Sequence, residues 1–175
     1  MYKRQFLIQP VFEQVFNRAA TFPYWFATIA LLAASSSYVN ARLVRKLGMR
    51  MLTSIAFRAQ VCFSALVFLV YWLGYFEGQF GFFCFLFWMF SIFFQAGLTM
   101  GNLTALAMEP VGHIAGTAAS LVSAIATIGS VLLAAIVGQF FDGTPAAMIA
   151  GVALFATLGA ISSHRLKRYD RASKL

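Results

Sequence analysis

Charged residues divide this chain into apolar runs. No Asp, Glu, Lys or Arg occurs at 19–41, 59–76, 78–108, 110–141 or 143–163, and the shortest of these runs holds 18 residues. A helix crossing the hydrocarbon core of a bilayer needs ~20 apolar residues at ~1.5 Å rise each, whereas runs of about 10 to 14 suit a buried helix of a soluble protein. The pattern therefore predicts an all-α, polytopic transmembrane helix bundle. The two longest runs carry their own boundaries: Glu109-Pro110 closes one, and PVGHIAG opens the next with turn-forming residues. Five helices are predicted, over 22–42, 51–75, 81–107, 114–139 and 144–163. They define a bundle at 22–163, between an external N-terminal segment (1–21) and a basic cytoplasmic tail (164–175).

Polar positions inside the spans fall on faces when projected at ~100° per residue. In the third helix Ser91, Gln95, Thr99 and Asn102 lie within ~80° of one another. Gly97 and Gly101 form a G-x-x-x-G on the opposite side, suited to close approach of a neighbour. In the fourth, Gly116, Ser120, Ser123, Thr127, Ser130, Ala134 and Gly138 share one sector, and Leu121, Ile125, Ile128, Leu132 and Ile136 take the reverse. Small residues of this kind often serve only to pack membrane helices, and packing is the favoured reading of the fourth helix. The amides of Gln95 and Asn102 are costlier to place in hydrocarbon and must find partners across an interface or in a water-filled cavity. Gln95, Thr99, Asn102, Ser123 and Thr127 are the substrate-cavity candidates, and Gly97, Gly101, Gly116 and Gly138 the packing candidates.

Composition agrees: 61% hydrophobic residues, 10% charged and a mean hydropathy of +0.81 leave no room for a soluble domain. A net charge of +8 raises the question of nucleic acid, but the basic residues cluster at span boundaries and so report topology instead. With the 42–50 loop inside, Arg42, Arg45, Lys46, Arg50, Arg165, Lys167, Arg168, Arg171 and Lys174 face the cytoplasm, and Lys3, Arg4 and Arg18 the outside. The N-terminus is thus predicted external and the C-terminus cytoplasmic. Arg58 stands apart, eight residues beyond Arg50 within the second span, where snorkelling to the headgroups is the favoured account over an anion-facing or gating role.

Enzyme and metal signatures are absent from the sequence. Cys62 and Cys84 fall inside spans with no His or carboxylate at ligand spacing and are expected to be small core residues. His113 and His164 sit at helix ends, and Pro110 interrupts the spacing from Glu109 to His113. No metal or other cofactor is expected. Nine of the fifteen residues from Phe80 to Phe94 are aromatic and surround the helix; most should face lipid or neighbours, while a few could wall a site for bulky or cationic substrates. Residues 1–18 contain neither a signal sequence nor a span, and the opening MYKRQ looks like an artificial end, with 1–5 not native. The chain is accordingly expected to be a fragment.

Three stretches carry a family resemblance: FPYWFATIALLAASSSYVNARLVRKLGMR (22–50), GNLTALAMEPVGHIAGTAASL (101–121) and GQFFDGTPAAMIAG (138–151). Together they resemble the C-terminal half of major facilitator superfamily transporters, within it the bicyclomycin-resistance (Bcr/CflA-like) multidrug efflux group. The resemblance covers residues ~9–165 and implies that the five helices are the eighth to twelfth of a twelve-helix transporter, with 9–21 as the preceding external loop. RLVRKLGMR then resembles the degenerate second copy of the superfamily's cytoplasmic motif. Gly48 and Arg50 fit it, Arg45 stands where an acidic residue belongs, and the three become gating-loop candidates.

The resemblance further implies alternating access between two bundles, a cavity lined by the eighth, tenth and eleventh helices, and proton antiport. No carboxylate lies at mid-depth in the predicted spans, so the proton carrier is expected in the missing half. The expected function is part of a secondary transporter of the bacterial inner membrane that exports drugs or other small molecules. Its expected partners are a lipophilic or cationic substrate, membrane lipids and the N-terminal half. An uptake transporter for a small metabolite and a non-transporting membrane scaffold subunit are the alternatives.

Overall fold

The computed structural model describes residues 8–140 and 143–172, with side chains as far as His164. Helix α1 spans Ile8–Gln14, α2 Phe22–Leu47, α3 Met49–Trp72, α4 Gly78–Met108, α5 Ala115–Gln139 and α6 Ala146–Ala172; 3-10 turns occupy Ala19–Thr21 and Glu109–Ile114. No strand occurs among the described residues. Four continuous helical stretches are long and apolar enough to cross a membrane, and the third runs for 62 residues through Gly78–Gln139. That stretch is two helices. Pro110 supplies no N–H, Val111 leaves helical geometry at φ −123° and ψ 28°, and the break separates an α4 of 31 residues from an α5 of 25. Among the described residues there are thus five helices of membrane-crossing length, α2 to α6, as predicted.

Several boundaries differ from expectation. The predicted loop at 42–50 contracts to one residue, Gly48, whose φ of 76° is open to glycine at little cost. Its N–H closes α2 on the Val44 carbonyl at 2.8 Å, and its own carbonyl receives Leu52 N–H at 3.1 Å as α3 begins. Arg45 consequently lies on the last turn of α2 and Arg50 on the first of α3. The final turn of α2 also suits basic side chains, because unpaired carbonyls concentrate negative partial charge there. At the other end, the predicted tail from 164 is helical as far as Ala172.

Helix α3 packs chiefly on α6 and α4, and α2 on α4. The apolar core gathers where α1, the start of α2 and the α3–α4 turn converge. Val11 and Phe12 of α1 are fully buried, so the segment predicted only as an external lead-in contributes to the core. Phe12 sets its ring edge-on to Phe22, Phe82 and Phe85, with centroids 5.1 to 5.8 Å apart. Phe16 adds an edge contact to Phe82 at 5.2 Å. Such pairs contribute ~0.5–1.5 kcal/mol beyond area burial. The turn between α3 and α4 folds Phe76 into the same cluster, and Gly81 permits it: a Cβ there would collide with the Phe76 carbonyl.

Candidate functional site

The polar face of α4 lies inside the α2–α3–α4 bundle. Asn102 is 4% exposed, and its Nδ2 donates to Asn40 Oδ1 on α2 at 2.8 Å and to the Leu98 carbonyl at 2.8 Å. Both amide protons are therefore used. Gln95 is half-buried and reaches Thr99 Oγ1 at 3.5 Å, while the buried Thr99 hydroxyl donates to the Gln95 carbonyl at 2.9 Å. One turn-pair further along, Ser64 of α3 receives Trp88 Nε1 at 3.0 Å and Gln60 Nε2 at 3.3 Å, all three side chains being buried. The result is a ladder of polar contacts along the three-helix seam.

Of the two places left open for its amide, Asn102 takes the helix interface, where an amide surrounded by helices satisfies itself against the nearest acceptor. In projection Gly97 and Asn102 fall on different sides of α4. A Cβ on Gly97 would collide with Ser36 Oγ of α2, so the packing role of Gly97 stands, yet both residues meet the same helix. Gly101, the other half of the G-x-x-x-G, has nothing within 4 Å of a built Cβ; neither does Gly116. Thr53 Oγ1 and Ser54 Oγ of α3 are buried without a hydrogen-bond partner among the described residues.

Helix α5 is unlike the others. Of its 25 residues only Gly138 is buried. Ser123 and Thr127 are exposed, and three of the stripe hydroxyls bond their own helix: Thr127 donates to the Ser123 carbonyl at 2.8 Å, Ser120 to Thr117 and Ser130 to Thr127 at the same distance. Close packing is confined to its C-terminal end, where Val137 lies 3.0 Å from the position a Cβ on Gly151 of α6 would take. Thus the cavity candidates are not brought together: Gln95, Thr99 and Asn102 are within the bundle, and Ser123 and Thr127 stand outside it.

Of the gating candidates, Arg50 makes an ion pair, its Nη2 lying 2.9 Å from Glu109 Oε2 in the turn after α4. Arg45 Nε donates to the Ala41 carbonyl of its own helix at 3.2 Å, and Gly48 is the hinge between α2 and α3. Glu109 was missed as a partner because it lies 59 residues from Arg50, beyond any local pattern. The aromatic run on α4 also resolves. Phe82, Phe85 and Trp88 belong to the core, Phe80, Phe83 and Phe87 face outward, and the cation on the Phe82 ring is the chain's own Arg18, 4.4 Å from its centroid. Cys84 is half-buried but Cys62 is exposed, contrary to its expected place in the core. No cluster of His, Cys, Asp and Glu able to hold a metal occurs among the described residues.

Comparisons with protein families, with curated proteins and with solved structures return no match.

Proposed function

We propose that this chain forms the second-half bundle of a major facilitator-type secondary transporter that exports drugs or other small molecules by proton-coupled alternating access. It would lie in a bacterial inner membrane, with the Gly48 hinge and the C-terminus on the cytoplasmic side. The observation carrying this reading is α5: a span-length apolar helix whose Gly116–Gly138 stripe of Ser, Thr and Gly meets no neighbour over most of its length. A stripe most of whose hydroxyls bond their own helix can face a polar ligand or a second bundle while leaving few donors to be met. On this reading Ser123 and Thr127 border the transport path, an N-terminal bundle supplies the opposing wall, and Arg50–Glu109 ties α3 to the α4–α5 turn at the cytoplasmic face.

The coding sequence upstream of Met1 tests the family. Seven further apolar spans, one carrying a carboxylate at mid-depth, support it; an upstream region that encodes no span overturns it. Efflux of a lipophilic cationic dye by the full-length parent, in cells stripped of other pumps, tests the activity. Ser123→Leu and Thr127→Leu should impair efflux at unchanged abundance.

A second reading, a non-transporting membrane scaffold, is favoured by one contact. Asn102 gives its amide to Asn40, as a packing seam requires, and keeps no proton for a ligand. Full dye efflux by the parent eliminates that reading.

A further inference from the structure

A groove of about 540 Å³ opens on the outer face of the α3–α6 pair, lined by Arg58, Val61, Cys62, Thr157, Ile161 and His164, with Ala160 at its floor. Its volume lies within the ~300–1,000 Å³ usual for ligand sites. The groove follows from close helix approach beside it: Gly159 of α6 accepts the Phe57 ring of α3, which lies 2.7 Å from where a Cβ would stand. Phe57 is thereby turned into the contact, and its neighbour Arg58 is left facing outward.

Arg58 is the tenth residue of α3, roughly 13 Å along the helix at ~1.5 Å per residue. It has no ion-pair or hydrogen-bond partner among the described residues. A charge at such depth is costly unless paired or hydrated, by ~2.5–3.5 kcal/mol at the centre of a span. No carboxylate lines the groove, whereas His164 does, on the last described turn of side chains on α6. Beyond it the sequence continues with Arg165, Lys167 and Arg168. A guanidinium and an imidazole among the otherwise apolar lining of Val61, Ala160 and Ile161 match an anionic headgroup attached to a hydrocarbon chain.

We infer that this groove binds one anionic phospholipid, of the phosphatidylglycerol or cardiolipin class, in the leaflet on the Gly48 side. The guanidinium of Arg58 and an imidazole N–H of His164 hold the phosphate, and an acyl chain lies along Val61, Ala160 and Ile161. The bound phosphate supplies the partner that Arg58 lacks among the described residues, and the lipid splints α3 to α6.

The two cysteines provide the test. Cys62 lines this groove, and Cys84 lines a separate, apolar groove of about 320 Å³ between α3 and α4. The 175-residue chain in uncharged detergent is alkylated with a maleimide while phosphatidylglycerol, phosphatidylcholine or inorganic phosphate is titrated in, and the two thiols are followed separately by mass spectrometry. Phosphatidylglycerol should slow modification of Cys62 about tenfold and leave Cys84 unchanged, while phosphatidylcholine and inorganic phosphate have little effect. Arg58→Gln and His164→Gln should each raise the phosphatidylglycerol concentration needed, together by about tenfold, equivalent to ~1.4 kcal/mol. Arg58→Lys should keep most of the protection. Equal protection by phosphatidylcholine, protection surviving the double substitution, or protection that follows protein concentration without lipid each overturn the proposal, the last by making a second copy the occupant. A Cys84 rate that falls in parallel with Cys62 does so as well.

Discussion

Asn102 of α4 donates its amide to Asn40 of α2 at 2.8 Å, 62 residues away in the chain. The bond places a buried amide of α4 at a helix interface, and it sets the direction of the first prediction. Asn102→Ala and Asn40→Ala should each lower thermal stability in detergent, and the double variant should be no worse than the poorer single one. Hydrogen bonds between membrane helices average ~0.6 kcal/mol, and ~0.5–1.5 kcal/mol is typical more generally. A double-mutant cycle with coupling near zero would remove Asn40 as the partner that matters.

Gly97 and Gly101 should behave differently under the same substitution. Gly97→Ala forces a Cβ against Ser36, whose own Cβ would be 2.9 Å away, and should reduce folded protein in the membrane. Gly101→Ala meets nothing within 4 Å and should be neutral. Adding Ser36→Gly to Gly97→Ala removes both offending atoms and should restore abundance, as measured by size-exclusion of a fluorescent fusion.

Phe12 anchors α1 to the bundle. Phe12→Ala should destabilise by about 3–5 kcal/mol, the usual range for emptying a buried aromatic site. Chemical unfolding in mixed micelles measures this. Phe83→Ala, which truncates an outward-facing ring of the same aromatic run, serves as the control and should cost far less.

Topology can be read with reporters. A fusion after Lys174 should report the cytoplasm, the side to which the distribution of basic residues in the sequence assigns it. An insertion after Gly74 should report the outside; that position has φ 79°, with no atom near its built Cβ, whereas Phe76 two residues on is buried. Finding both on one side of the membrane would remove one crossing from the count.

The Arg50–Glu109 pair is accessible, with side chains 41% and 57% exposed. Exposed ion pairs contribute ~0–1 kcal/mol, so Glu109→Gln should leave abundance nearly unchanged. On the proposed function, with the pair at a gate, the same substitution should change the rate of dye efflux by the parent.

The number of spans, their approximate limits and the positions of their polar faces were legible in the order of residues alone. Lipid offers no partner for backbone N–H and C=O groups, so an uncharged run of sufficient length has essentially one stable form, the helix, and a ~3.6-residue period then dictates which side chains share a face. That reasoning located Gly97 as a packing residue and the break at Glu109-Pro110. It could not say which neighbour a face meets. Periodicity gives an angle about one helix axis, whereas contact depends on where the other axes lie, and Gly97 and Asn102 turn out to meet the same helix from different angles. The folding of Phe12 and Phe16 onto Phe82, the pairing of Arg50 with Glu109, and the meeting of Arg58 and His164 at one groove are all of this second kind. Each joins residues far apart in the chain, through packing that no local pattern records.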